Sequence, residues 1–187
     1  DDRRLIAGKA RRIQLKSIEG MNTRPTTDRI KETLFNMLSQ DIYGCHFLDL
    51  FSGSGAIAIE ALSRGAKQAV LVEQNRKAVD CINRNLEFTG LKDKARVITG
   101  DCVAAIDSLE RSGLVFDIIF MDPPYGKLLE KQVLNRLASS GIVDKNTWII
   151  VESDLNTEYD YLTDIGFEID RVKKYKTNKH TFIQEIL

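Results

Sequence analysis

Phe47-Leu48-Asp49-Leu50-Phe51-Ser52-Gly53-Ser54-Gly55-Ala56 decides the fold of this chain. A short apolar run enters a turn carrying two glycines, and a helix-forming segment begins at Ala56. Glycine lets the backbone turn tightly and lets a ligand approach it closely. Gly53-x-Gly55-x-x-Ala58 fits the nucleotide-binding fingerprint, and Glu73 stands 20 residues past Gly53 at the end of the next apolar run. A carboxylate there suits hydrogen bonding to both hydroxyls of a ribose.

Outward from this turn the pattern repeats. Phe47–Phe51, Ala69–Val72, Arg96–Thr99, Val115–Met121 and Thr147–Val151 read as buried strands. Helical segments lie between them, the clearest with Ala78, Ile82 and Leu86 on one face and another with Leu129, Val133 and Leu137. Short apolar strands alternating with helices predict an α/β fold of parallel β-α-β units, with right-handed crossovers placing helices on both faces of the sheet. The tail departs from this: Gly166–Val172 and Thr181–Ile186 are two strands in succession, a terminal antiparallel hairpin. Upstream, Pro25-Thr26-Thr27-Asp28 is helix-start chemistry, and Ile30, Leu34, Met37 and Leu38 follow a helical stripe. Residues 1–24 read as a basic hairpin or arm, and 25–187 as one doubly wound domain.

Four acids select the ligand. Asp49, Glu73, Asp101 and Asp122 each fall at or just after the end of a predicted strand, the edge where open α/β sheets bind ligands. A pyrophosphate would be repelled by such a rim, and no Lys-Ser/Thr pair follows the glycines as in a P-loop. S-adenosylmethionine presents a sulfonium, an ammonium, a ribose diol and an adenine amine, all complemented by acids. Asp49 would face the ammonium, Glu73 the ribose, and Asp101 the adenine amine beside the Cys102 backbone; Phe51, Ser52, Gly53 and Gly55 supply the loop. Asp101 also reads as a helix cap, and Cys102 as a small packing residue.

Asp122-Pro123-Pro124-Tyr125 carries the chemistry. Two prolines make a stiff turn with exposed carbonyls. An exocyclic base amine is a poor nucleophile while its lone pair is delocalised into the ring. Two acceptors gripping its N–H groups, the Asp122 carboxylate and the Pro123 carbonyl, favour a pyramidal nitrogen aimed at a methyl group. Tyr125 offers a stacking surface for a base taken out of its helix or loop.

Bulk properties bound the alternatives. The 187 residues carry 27 Lys and Arg against 27 Asp and Glu, which argues against a DNA-coating protein. The charge is uneven: residues 1–40 hold nine basic against five acidic residues, and a second basic run, Arg171, Lys173, Lys174, Lys176 and Lys179, lies near the C-terminus. Such runs are commonly solvated surface, yet two on a neutral protein could form a phosphate-facing patch. Three cysteines without a C-x-x-C pair and two isolated histidines give no disulfide or metal framework, so no metal is expected and a reducing cytoplasm is the simplest setting. No apolar run reaches the roughly 18 residues of a membrane span, and no signal peptide is read.

These residues resemble the Asn/Asp-Pro-Pro-Tyr amino-methyltransferases, and within them the RsmD family of bacterial 16S rRNA (guanine(966)-N2)-methyltransferases. The markers are Arg4-Leu5-Ile6-Ala7-Gly8, Thr23-Arg24-Pro25-Thr26-Thr27-Asp28-Arg29, the glycine loop, Glu60-Ala61-Leu62-Ser63-Arg64-Gly65-Ala66 and Asp122-Pro123-Pro124-Tyr125. The Asp1-Asp2-Arg3 opening touches none of them. The resemblance implies a Rossmann-like class I methyltransferase with a seven-stranded, mostly parallel sheet and a small N-terminal β-hairpin. It implies S-adenosylmethionine as donor, 16S rRNA or an assembling small subunit as substrate, and no membrane association. It places Arg24 to Arg29 beside cofactor and target base, with Lys9, Arg11 and Arg12 on RNA phosphates. A monomer is the expected state. An adenine-N6 or cytosine-N4 methyltransferase acting on DNA or another RNA is the rival enzyme. An NAD-binding oxidoreductase would leave the Pro-Pro-Tyr turn unexplained, and a non-catalytic RNA-binding module would not need it intact.

Overall fold

A computed structural model describes Gly8, Leu15 and residues 27–187. The strands are β1 (His46–Leu50), β2 (Gln68–Glu73), β3 (Ala95–Thr99), β4 (Ile118–Met121), β5 (Trp148–Asp154), β6 (Phe167–Lys174) and β7 (Asn178–Glu185). The helices are α1 (Asp28–Met37), α2 (Ala56–Ser63), α3 (Arg76–Thr89), α4 (Cys102–Ser112) and α5 (Leu129–Leu137), with two short 3-10 turns. Among the described residues one seven-stranded sheet has the order β3-β2-β1-β4-β5-β7-β6. Strands β1 to β5 pair in parallel, while β7 is antiparallel to both its neighbours. This is the Rossmann-like, doubly wound sheet with a terminal antiparallel hairpin that the sequence and its family resemblance lead one to expect.

Both faces of the parallel strands are covered, which is why they read as unbroken apolar runs. Phe47, Leu71, Ile118 and Phe120 face one way and pack with Leu34, Phe35, Ile59, Leu62, Ile82 and Leu86 of α1, α2 and α3. Leu48, Leu50, Val72, Ile119 and Met121 face the other way, against Ile106 and Leu109 of α4 and Leu134 and Leu137 of α5. Arg136 of α5 is forked between Asp107 and Glu110 of α4, fixing those two helices together.

The helix-start reading holds at Thr27, whose hydroxyl accepts the Ile30 N–H at 3.1 Å and caps α1. Pro25, Thr26 and nearly all of the predicted arm lie outside the described residues. Of that arm, Leu15 is 2% exposed within the same core cluster as α1, and a Cβ built on Gly8 would stand 1.6 Å from the Ser63 carbonyl oxygen. Strand boundaries shift by one to three residues from the sequence reading, and two of the larger shifts have a plain cause. The fourth strand begins at Ile118 rather than Val115, because the Phe116 amide donates to the Ile142 carbonyl of a loop and Val115 is exposed. The fifth runs past Val151 to Asp154, because Glu152, Ser153 and Asp154 pair with His180, Lys179 and Asn178 of β7.

A buried ion network ties α1 to α2. Lys31 and Glu60 are both fully buried, with Lys31 Nζ 3.6 Å from Glu60 Oε1, and Arg64 Nε donates to Glu60 Oε2 at 2.9 Å. Burial lowers the Lys31 pKa, opposed by the Glu60 charge. Replacing such a pair by apolar side chains need not destabilise a protein, but removing one partner leaves a buried charge uncompensated.

Candidate active site

The chain reverses its strand order at β1, with β2 on one side and β4 on the other, and such switch points open a crevice at the strand ends. A cavity of about 530 Å³ lies there. It is lined by Asp49, Phe51, Ser52, Gly53, Glu73, Asp101, Cys102 and the whole Asp122-Pro123-Pro124-Tyr125 turn. Eleven of the twelve residues predicted for the cofactor and the reaction therefore meet in one space.

Gly55, the twelfth, has a packing role. It lies at φ +84° before α2, and a Cβ there would meet Ile59 Cδ1 and Leu71 Cδ2 at 3.2 Å. Gly53, at φ +61°, has nothing within 4 Å of the position a Cβ would take, so its backbone is open to the cavity. Between β1 and these glycines, Phe51 itself takes φ +60°, a conformation that costs a non-glycine residue about 1 kcal/mol or more. The Ser52 amide, donating to the Val72 carbonyl at 2.9 Å, pins the loop to the end of β2.

Glu73 is held by that loop: one carboxylate oxygen accepts the Gly53 amide and the other the Asn75 amide, both at 2.9 Å. Two amide donors fix its orientation while each oxygen keeps a lone pair. Asp49 is 1% exposed, on the sheet face that carries α2. Ser52 Oγ donates to Asp49 Oδ2 at 2.9 Å, whereas Oδ1 is buried without a hydrogen-bond partner. Burial pushes the Asp49 pKa up to about 7, against the Ser52 hydrogen bond and the Ala58 amide of α2, which faces the carboxylate without closing a hydrogen bond of ordinary geometry. A buried acceptor left unsatisfied costs about 1–3 kcal/mol, which a donor entering the cavity would relieve. Asp101 caps α4, its Oδ1 accepting the Val103 amide at 2.9 Å, and also lines the cavity. Burial raises the Cys102 thiol to about 12, so it remains a neutral packing group.

Register places the proline turn. Phe120 pairs with Asp49 and Met121 with Leu50, so Asp122 leaves the sheet beside Phe51 and the glycine loop. Asp122 is half-buried, Pro123 buried and Tyr125 45% exposed, which gives an acceptor inside the cavity and an aromatic ring at its mouth. Gly126 at φ +75° and Leu128 at φ +53° then turn the chain into α5, which adds Leu129, Gln132 and Val133 to the wall.

Of the predicted RNA-facing residues, Lys9, Arg11, Arg12 and Arg24 lie outside the described residues. Arg29 is exposed on α1 and does not line the cavity. Sequence reasoning missed Asn85, which is fully buried and donates from Nδ2 to the Ser54 carbonyl at 3.0 Å, bracing the glycine loop from α3. The signal was present, since Asn85 is a polar residue on the same face as Ala78, Ile82 and Leu86. Among the described residues no group of three or more His, Cys, Asp or Glu could hold a metal ion.

The donor set fits a ligand with a diol, a cationic amine and an aromatic amine, as S-adenosylmethionine has. The open Gly53 backbone and the unpartnered Asp49 oxygen are the observations that test that fit.

Known proteins resemble this chain over most of its length. Residues 3–184 match the family described as conserved hypothetical protein 95. The chain is 38% identical over 152 residues to ribosomal RNA small subunit methyltransferase D of Escherichia coli K12, covering 81% of this chain and 75% of that one. It is 36% identical over 155 residues to the putative rRNA methyltransferase YlbH of Bacillus subtilis, covering 83% and 84%. Among solved structures, a putative methyltransferase from E. coli, yhhF, superposes with a TM-score of 0.82 at 32% identity over 97% of both chains.

Proposed function

The chain belongs to the RsmD family, the conserved hypothetical protein 95 group of methyltransferases, and on that premise we propose that it methylates the exocyclic N2 amine of a guanine in 16S rRNA, guanine 966 by family resemblance. The carrying observation is that one cavity is lined both by the acids suited to S-adenosylmethionine and by the turn suited to a base amine. The names of the relatives support ribosomal RNA of the small subunit as the substrate class.

When bound, S-adenosylmethionine supplies an electrophilic methyl on a sulfonium that departs as a neutral thioether. The protein's part is placement. Asp49 would hold the ammonium, Glu73 the ribose hydroxyls, and Asp101, beside Cys102, the adenine amine. Across the cavity, the Asp122 carboxylate and the Pro123 carbonyl accept the two N–H groups of the target amine. That grip draws the nitrogen towards a pyramidal form and aims its lone pair into the cavity. Alignment of this kind is worth roughly 7–11 kcal/mol. The same acceptors stabilise the positive charge that develops on nitrogen, and the proton leaves to Asp122 or to water. Tyr125 stacks on the extruded base. Arg29, with Lys9, Arg11, Arg12 and Arg24 of the 1–24 arm, holds phosphates and so contributes salt-dependent affinity rather than sequence reading. The acting form in this proposal is a cytoplasmic monomer.

Nucleoside mass spectrometry of 16S rRNA, with and without the protein, tests this. N2-methylguanine should appear with the wild type and vanish with Asp122→Ala, while calorimetry shows cofactor binding retained in the variant. Modification of another base, or methylation of DNA alone, refutes the substrate; the latter would favour the adenine-N6 or cytosine-N4 reading.

A further inference from the structure

The acidic rim that suits a cationic methyl donor works against its nucleic-acid substrate. Asp49, Glu73, Asp101 and Asp122 line the cavity into which a base must be brought on a chain of phosphates. Counter-charge is needed close by and on the same edge of the sheet.

The β6–β7 hairpin supplies it. Asn178 at the start of β7 pairs with Asp154 at the end of β5, and Lys174 at the end of β6 pairs with Lys179. The turn of residues 175–177 therefore lies at the edge where β4 gives way to Asp122. Register extends the alignment across the sheet. Met121 pairs with Val151, which sets Asp122 level with Glu152; Glu152 pairs with His180, and His180 with Lys173. Three strand spacings of about 4.8 Å put this row at roughly 14 Å from end to end.

A β-bulge sets the direction of two of the cations, Arg171 and Lys173, while Lys174 next to them projects to the other face at the hairpin tip. Ile169 pairs with Ile183, whose side chain packs on the α4–α5 side, but after the bulge Arg171 pairs with Phe182, which packs on the α1–α3 side. Arg171 and Lys173 thereby share the face of Phe120 and Asp49. The Arg171 guanidinium lies 6.0 Å from the Phe182 ring centroid, and Lys173 Nζ lies 6.0 Å from that of Tyr175.

This strand is also charged at a cost to the fold. From Arg171 to Lys179 there are five cations and no acid. Arg171, Lys173, Lys174 and Lys176 are exposed and, among the described residues, make no ion pair. Lys174 stands directly opposite Lys179, an arrangement that destabilises a ladder. Burial, and next the charge of Lys174, hold the Lys179 ammonium below its ordinary range.

We propose that the β6–β7 hairpin tip, through Arg171, Lys173, Lys174 and Lys176, binds the phosphate backbone of the RNA strand flanking the target base. The inference rests on the RNA substrate proposed above. Its test compares Lys173→Gln/Lys174→Gln/Lys176→Gln with a control of equal charge, Lys67→Gln/Lys92→Gln/Lys94→Gln. The control residues adjoin the starts of β2 and β3 on the opposite edge. Binding of a 16S rRNA transcript is measured against salt concentration, alongside methyl transfer. The hairpin variant should lose about 2 from the slope of log affinity against log salt, roughly 0.7 per lost contact. Its KM for RNA should rise while kcat and cofactor affinity stay at wild-type values, and the control should keep the wild-type slope. An unchanged slope in the hairpin variant, or an equal loss in the control, overturns the proposal. If the wild type methylates RNA while the hairpin variant keeps its slope, only the docking surface falls; if the wild type neither binds nor methylates RNA, the substrate reading falls with it.

Discussion

Protonation of Asp49 should govern cofactor affinity through an acid limb unusually close to neutrality. Its carboxyl is buried, with one oxygen bonded to Ser52 and the other unpartnered, and its pKa stands at about 7. Only the ionised form complements an ammonium. Below pH 7 the site is largely neutral, so calorimetry with S-adenosylmethionine should show affinity falling about tenfold per pH unit between pH 6 and pH 5. Above about pH 8 the free amine of the ligand is mostly deprotonated, which gives a second, alkaline limb. Stability should move oppositely in the empty protein. A folded pKa raised above the unfolded value of about 3.9 gives a contribution that is complete below pH 4, declines as pH rises towards 7, and is gone beyond it. That difference corresponds to roughly 4 kcal/mol as an order of magnitude. Asp49→Asn should therefore flatten the acid limb, weaken binding at pH 7.5, and raise the unfolding midpoint of the empty protein at pH 8. An acid limb centred near pH 4 in the wild type, or one that persists in the variant, would refute the reasoning.

Glu73→Ala removes the partner of two loop amides and the proposed ribose acceptor, so cofactor affinity should fall more than tenfold; unchanged calorimetric affinity would strike Glu73 from that role. The two glycines should separate by phenotype. Gly55→Ala, at φ +84° with side chains 3.2 Å from the new methyl, should destabilise the fold by about 1–3 kcal/mol in urea titration, whereas Gly53→Ala should chiefly weaken cofactor binding. Reversal of that order would mean the open side of the loop is misassigned. Glu60→Leu leaves Lys31 and Arg64 facing an apolar side chain and should lose about 3–5 kcal/mol; a loss below about 1 kcal/mol in chemical denaturation would show that the cations reorganise.

The parallel half of the fold was legible because strands covered on both faces leave continuous apolar runs in the sequence. Legibility fails where tertiary pairing overrides composition. Glu152 and Ser153 look like a strand end and are instead ladder partners of β7, while Val115 and Phe116 look like strand and instead serve a loop. The cavity lining was legible at its acids and prolines, because few residue types end a strand at such an edge with a carboxylate or a stiff turn. Gly53 and Gly55 could not be told apart, since the fingerprint records only that both need glycine. What surrounds each missing Cβ is a property of α2, α3 and β2 packed together. Asn85 escaped for a similar reason: a lone polar residue in an apolar stripe acquires meaning only when the carbonyl it reaches is known.

The position of β7 between β5 and β6 bears on how the chain is made as well as how it stands. A polypeptide emerging from its N-terminus has β5, with its Trp148-Ile149-Ile150-Val151 run, long before it has the strand that shields it. Until Asn178 and the residues after it arrive, that run presents an unsatisfied, strongly β-prone border to neighbouring chains. A frameshift or early stop between residues 155 and 177 would thus leave more than a shortened sheet: it would yield a polypeptide disposed to self-association and suited to chaperone capture.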